Sequence, residues 1–254
     1  MKSFERPYAI KSTASIQLQA VRNNFMLFYR RHPRLREWFN HSGFYYSKTK
    51  CFIFSVMNYL AHAYLSFGHK ELLLGNMISD FIKGKQQFSY PPVIQKGIVL
   101  HRMIDDFTDR HDANREAKEV FRKDYRLYCG AFVDVTYDHF LAIDGNEFAT
   151  EKELFRFSQS TYQLLETQQE WWPPVFHRMF FYMKTQNWLY RYRTHAGIKQ
   201  SFGGLVRRSK YLQSASMAEE IFDDYYELLG NCYRQFWKDV KPFALQKMNE
   251  LLNQ

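Results

Sequence analysis

Histidines and carboxylates recur one helical turn apart in this chain, inside segments that are otherwise apolar. In IVLHRMIDDFTDRH (98–111), His101 and Asp105 stand four residues apart and so lie side by side on a helix. In FVDVTYDHF (132–140), Asp134 and Asp138 share a face and His139 follows directly. In LLLGNMISDF (72–81), Asp80 falls on the face of Leu73 and Met77, and His62 is the single imidazole in the apolar stretch MNYLAHAYL (57–65). A partly buried ion loses several kcal/mol of hydration, whereas an exposed ion pair returns about 1 kcal/mol at most. Several acids on core-facing helices therefore call for a common counter-ion. A divalent cation supplies one. Histidine with several carboxylates suits Mn²⁺, Mg²⁺ or Fe²⁺, and Zn²⁺ is less favoured because no cysteine is near. Inward-facing His and Asp around such an ion are the equipment of helical phosphohydrolases.

These groups sit on a run of segments with three-to-four-residue apolar spacing. The spacing predicts helices near 57–67, 71–83, 92–111, 113–127, 130–143, 150–168, 174–193, 195–211 and 216–252. Pro92 and Pro174 suit helix starts, where a missing amide hydrogen costs nothing. Gly68, Gly84, Gly145 and Gly230 fall near ends or joints. No segment reads as a strand and no heptad persists, so the expected fold is all-α, a globular multi-helix bundle rather than a coiled coil. On the helix over 92–111, Val99, Leu100, Met103, Ile104 and Phe107 form an apolar stripe. His101 and Asp105 lie on its flank, which Ile94 and Ile98 extend.

With 46% hydrophobic and 19% aromatic residues, the 254-residue chain can bury one substantial core, which excludes a disordered protein. Its apolar runs fall short of the roughly 20 residues of a membrane span. Cys51, Cys129 and Cys232 are scattered and odd in number, which argues against a disulfide framework and fits a reducing cytoplasm. The formal charge of +9 is unevenly spread: residues 1–56 hold ten Lys and Arg against Glu5 and Glu37, which leaves the remainder close to neutral. Nucleic acid is therefore not the expected partner of the main body. The compositional break gives two expected parts, a basic N-terminal extension over 1–56, outside the catalytic fold, and a helical domain over 57–254.

The stretches MNYLAHAYL (57–65), LLGNMISDFIKG (73–84), YPP with GIVLHRMIDDFTDRH (90–111) and DVTYDHFLA (134–142) closely resemble the acyl carrier protein phosphodiesterase family. NWLYRYR (187–193), GGLVRRSKYL (203–212) and FWKDVKP (236–242) agree in the expected order. The resemblance implies a helical domain related to the HD-type metal-dependent phosphohydrolases. It implies hydrolysis of the phosphodiester between 4′-phosphopantetheine and the serine of holo-acyl carrier protein, with Mn²⁺ as the usual cofactor. Carried over residue by residue, it implies metal ligation by Asp80, His101, Asp105, Asp138 and His139, with Asp109 and Asp134 as further ligands or supporting groups.

On this reading His62 or His111 moves a proton to the leaving group, and Arg102 neutralises phosphate. Acyl carrier proteins are acidic, so a docking face is expected from Arg191, Arg193, Lys199, Arg207, Arg208 and Lys210. Two other readings fit the same residues: a metallophosphohydrolase acting on a nucleotide or another small phosphodiester, and a carrier-protein-binding module without catalysis.

Overall fold

Two glycines set the spacing on which the rest of the molecule depends. The computed structural model describes residues 58–209 and 211–253, so the expected extension over 1–56 lies outside the described residues. Within them, α1 (Tyr59–Tyr64) leads through a turn to α2 (Lys70–Ile78), and α3 (Pro92–Arg110) follows after two short 3₁₀ turns, Ser79–Phe81 and Gly84–Ser89. A Cβ on Gly75 of α2 would stand 2.2 Å from the Ile94 carbonyl oxygen, and one on Gly97 of α3 would stand 2.4 Å from that of Leu72. Only hydrogen fits there, so the two helices touch backbone to backbone. This contact brings the turn after Gly75 against the turn after Gly97.

The chain continues through α4 (Asp112–Tyr125), α5 (Cys129–Ile143), α6 (Glu151–Glu166), α7 (Pro174–Thr185), α8 (Trp188–Arg191), α9 (His195–Arg208), α10 (Ser216–Asp224) and α11 (Tyr226–Leu252). The described residues thus form an all-helical globular fold of eleven α-helices without strands. Among them no helix is long and apolar enough to cross a membrane. Pro92 and Pro174 open their helices as expected. Two expected helices are each divided. Asn187 adopts a left-handed conformation (φ 48°) between α7 and α8, and Tyr225 separates α10 from α11. Gly230 lies inside α11, where an added Cβ would meet the Phe140 ring at 3.1 Å.

The six-residue α1 is the most enclosed element, with Tyr59, Leu60, Ala61, His62 and Ala63 all buried. A helix this short is not stable by itself, because nucleation fixes several residues for very few hydrogen bonds. The fold holds both its ends. Asp138 of α5 accepts hydrogen bonds from the amides of Leu60 (3.0 Å) and Ala61 (2.8 Å), filling the capping role that the Asn58 side chain leaves open. At the other end the Tyr64 hydroxyl donates to the nearly buried Glu147, which also accepts from Trp237 Nε1 (2.8 Å) and pairs with Lys241 Nζ (2.5 Å) of α11. The motif FWKDVKP thus has a structural use.

Candidate metal centre

His62 of α1 and His101 of α3 stack with ring centroids 4.1 Å apart. One residue of α2 orients both. His62 Nδ1–H donates to the side-chain Oδ1 of Asn76 (2.7 Å), and His101 Nδ1–H donates to the Asn76 backbone carbonyl (2.8 Å). The amide of Asn76 is itself pinned, since its Nδ2 donates to the His62 carbonyl (3.0 Å) and to Ser66 Oγ (3.1 Å). Oxygen acceptors on both Nδ1 atoms fix the tautomers. Each histidine then presents Nε2 as its free ligand atom, which is how metal-binding imidazoles are held.

Both Nε2 atoms face carboxylates. His101 Nε2 lies 3.1 Å from Asp105 Oδ2 and 3.3 Å from Asp80 Oδ1, and His62 Nε2 lies 3.4 Å from Asp105 Oδ1. His62, His101 and Asp105 each place one ligand atom within 4.8 Å of the others. The histidines are 1% exposed and Asp105 is 44% exposed, so the group opens to solvent on the carboxylate side. The second oxygen of Asp80, Oδ2, is buried without a hydrogen-bond partner.

This electrostatic arrangement favours an added positive charge. Burial opposes a charge on His101, yet Asp105 and Asp80 together raise its pKa to about 10. Burial and the neighbouring His101 lower that of His62. Burial acts to raise the pKa of Asp105, but the two histidines outweigh it and hold the carboxyl below the ordinary carboxylate range. Two inward imidazoles, a shared carboxylate and an orphaned carboxylate oxygen fit a divalent cation. His62, His101 and Asp105 therefore form a group that could bind a metal ion, with Asp80 beside it.

The expected residues divide into those the fold brings together and those it does not. His62, Asp80, His101 and Asp105 converge. Asp134 is near: burial and the charge of Asp105 raise its pKa well above normal, with Lys118 opposing. Asp109 pairs with Lys118 at 2.8 Å. Asp138 does not join that group here: both its oxygens accept from the start of α1. His139 is also engaged elsewhere: its Nδ1–H donates to the Tyr192 carbonyl (2.7 Å), and its Nε2 accepts from the Tyr226 hydroxyl (2.9 Å). One residue of sequence on a helix turns a side chain by about 100°, so His139 faces a different neighbour from Asp138.

His111 caps α4 by accepting from the Ala113 amide and faces Asp239 at 3.3 Å, away from the histidine pair. Arg102 binds Gln87 Oε1 and the Ile82 carbonyl, fastening the 3₁₀ turns to α3. Of the basic residues, Arg193 pairs with Glu151 (2.7 Å) and Lys199 with Glu219 (3.4 Å). Arg191, Arg207 and Arg208 line a pocket, and the Lys210 side chain lies outside the described residues. Asn76 was not among the expected site residues. Its signal is a polar amide in the middle of LLLGNMI, a run buried on every side.

Comparisons with known proteins bear on the same stretch of chain. The family model described as acyl carrier protein phosphodiesterase matches residues 57–240. A protein of that name from Escherichia coli (strain K12 / DH10B) is 31% identical over 191 residues, covering 75% of this chain and 99% of the relative. The protein of the same name from Salmonella paratyphi A is 30% identical over the same length, with the same coverage of both chains. No solved structure matches the chain.

Proposed function

The chain belongs to the acyl carrier protein phosphodiesterase family, and from that premise we propose that it hydrolyses the phosphodiester joining 4′-phosphopantetheine to the serine of holo-acyl carrier protein. The products are the apo-protein and free 4′-phosphopantetheine. The observation that carries the reading is the convergence of His62, His101, Asp105 and Asp80 from three separate parts of the chain. These four residues would hold a divalent ion, with Mn²⁺ the proposed identity from the ligand chemistry and the family. When bound, such an ion polarises phosphoryl oxygens and lowers the pKa of water.

The remaining tasks fall to the chain's own atoms. Asn76 keeps both Nε2 lone pairs aimed at the same point, so neither histidine turns when substrate arrives. With Nδ1–H bound to Asn76 and Nε2 facing Asp105, His62 is assigned to ligation rather than to proton transfer. Asp80 has an oxygen free of partners beside the cluster, and we assign it to accept the proton of the attacking water. The half-exposed edge at Asp105 is the side from which a protein-borne phosphodiester can enter. The proposed setting is the cytoplasm, which the free thiols of Cys129 and Cys232 support.

Mass spectrometry of holo-acyl carrier protein after incubation with this protein and Mn²⁺ tests the reading. The expected result is loss of the prosthetic arm, abolished in Asp80→Ala and His101→Ala variants that remain folded. An unaltered carrier mass in the presence of metal-loaded wild-type protein would overturn it.

A further inference from the structure

Arg191, Arg207 and Arg208 converge on one pocket between α8, α9 and the start of α1. Unlike Arg193 and Lys199, none of the three has an ion-pair partner among the described residues, and no carboxylate lines the pocket. The concavity arises from sequence. Gly197, Gln200, Ser201, Gly204 and Arg208 follow at helical spacing along one face of α9, so two of the residues facing the pocket have no side chain. Gly197 is required there, since an added Cβ would stand 2.0 Å from the Arg191 carbonyl oxygen.

The polar lining is arranged to donate. Gln186 Oε1 accepts from both Trp188 Nε1 (2.9 Å) and Gln200 Nε2 (2.8 Å), which leaves the Gln186 amide nitrogen as an unused donor. Trp188 and Tyr59, with ring centroids 6.1 Å apart, supply an aromatic wall. The Tyr59 hydroxyl has a pKa raised by burial, and it lies within the electrostatic reach of Arg208 on one side and of Asp80 and Asp138 on the other. Tyr59 is also one helical turn before His62, so this pocket neighbours the histidine cluster without sharing a residue with it.

We propose that the Arg191, Arg207 and Arg208 pocket is a second anion site, which binds the phosphate group of a phosphate ester. A phosphate monoester carries close to two negative charges at pH 7 and offers three acceptor oxygens. Guanidinium groups meet such oxygens in paired, charge-assisted hydrogen bonds. Three unpaired guanidinium groups and a spare amide match that demand better than they match one carboxylate. A free phosphomonoester meets that demand in full, whereas the phosphodiester of the substrate proposed above shares its phosphoryl oxygens but offers one charge and two free oxygens; the second source rests on that reading, and the first does not.

The first arm of the test is calorimetric titration of the whole protein with inorganic phosphate, in chelator and at fixed ionic strength. Saturable binding is expected in the wild type and in His101→Ala. It should weaken roughly tenfold or more in the Arg207→Gln/Arg208→Gln double variant, as loss of charged hydrogen bonds implies. The Lys152→Gln/Arg156→Gln pair on α6 removes the same charge elsewhere and should bind as the wild type does. Loss of binding in His101→Ala but not in the arginine variant, or equal weakening by both charge-removal pairs, overturns the proposal, as does binding of an acidic peptide with no binding of phosphate.

The second arm separates the sources by kinetics on holo-acyl carrier protein. A raised KM with unchanged kcat in the arginine variant assigns the pocket to the phosphodiester. An unchanged KM with lost inhibition by a small phosphomonoester assigns it to the free ester. If no hydrolysis is seen at all, the functional reading fails, while the first arm still decides the anion site.

Discussion

Asn76 is the residue on which the two histidines depend. Its side-chain oxygen holds one Nδ1 and its backbone oxygen the other, so replacing the side chain frees His62 while His101 keeps its partner. Asn76→Ala is therefore expected to weaken Mn²⁺ binding about 10- to 100-fold, the usual effect of losing a group that orients a metal ligand. Titration calorimetry below the melting temperature of both proteins checks this; equal affinities would remove Asn76 from the site. His139 gives a second prediction. Burial lowers its pKa from 6.5 to about 4, with the Tyr192 carbonyl opposing. The unfolded chain therefore takes up a proton below about pH 6.5 that the folded protein refuses until about pH 4. Stability from this group is full above pH 6.5 and is lost as pH falls to 4, by about 3 kcal/mol. A His139→Gln variant, neutral throughout, should show a shallower fall in melting temperature across that window. Parallel profiles would contradict the assignment.

At the scale of elements, helix identity was legible in the sequence and helix rotation only in part. Apolar periodicity and Pro92 located α3, and of its expected stripe Leu100 and Ile104 are buried while Val99, Met103 and Phe107 are half-buried. The buried face runs through Ile94, Gly97, Ile98, Leu100, His101, Ile104 and Thr108, so it is turned toward the flank that carries His101. Glycine carries no hydropathy signal, so the close contact of α2 with α3 left no mark in the periodicity. The same blindness hid Asn76 and the hydrogen bonds of Asp138, whose partners lie on α1, 77 and 78 residues away in the chain. Gly75→Ala tests the contact. Its methyl would meet backbone rather than a movable side chain, so a loss of about 3 kcal/mol or more is expected, with weakened metal binding because Asn76 and His101 part. A denaturant midpoint equal to that of the wild type would refute the close packing. Asp138→Asn separates a cap from a ligand: melting temperature should fall modestly while metal stoichiometry stays the same, and a metal-free variant would restore Asp138 to the ligand set.

Across the whole molecule, residues from three segments form the cluster, so binding an ion there favours the folded state over the unfolded one. Linkage makes the size predictable: free ion at 100 times its Kd adds about 2.7 kcal/mol. Chelator should accordingly lower the melting temperature of the wild type and leave that of His101→Ala unchanged; identical shifts in both would show that the ion binds elsewhere. Charge partition was legible in the sequence as a basic segment before a near-neutral body. The residues of the candidate cluster, His62, Asp80, His101 and Asp105, stood out in the sequence by type, because a buried charge among apolar neighbours needs a reason. Their geometry did not, since the reason is a neighbour distant in sequence.

The Glu147 clasp on Tyr64 reaches into the last helix through Trp237 and Lys241. During synthesis that clasp cannot close until Lys241 has left the ribosome. A nascent chain thus carries His62, Asp80, His101 and Asp105 long before the far end of α1 is held, so the order of this corner is set by a late segment rather than by the appearance of any one of the four.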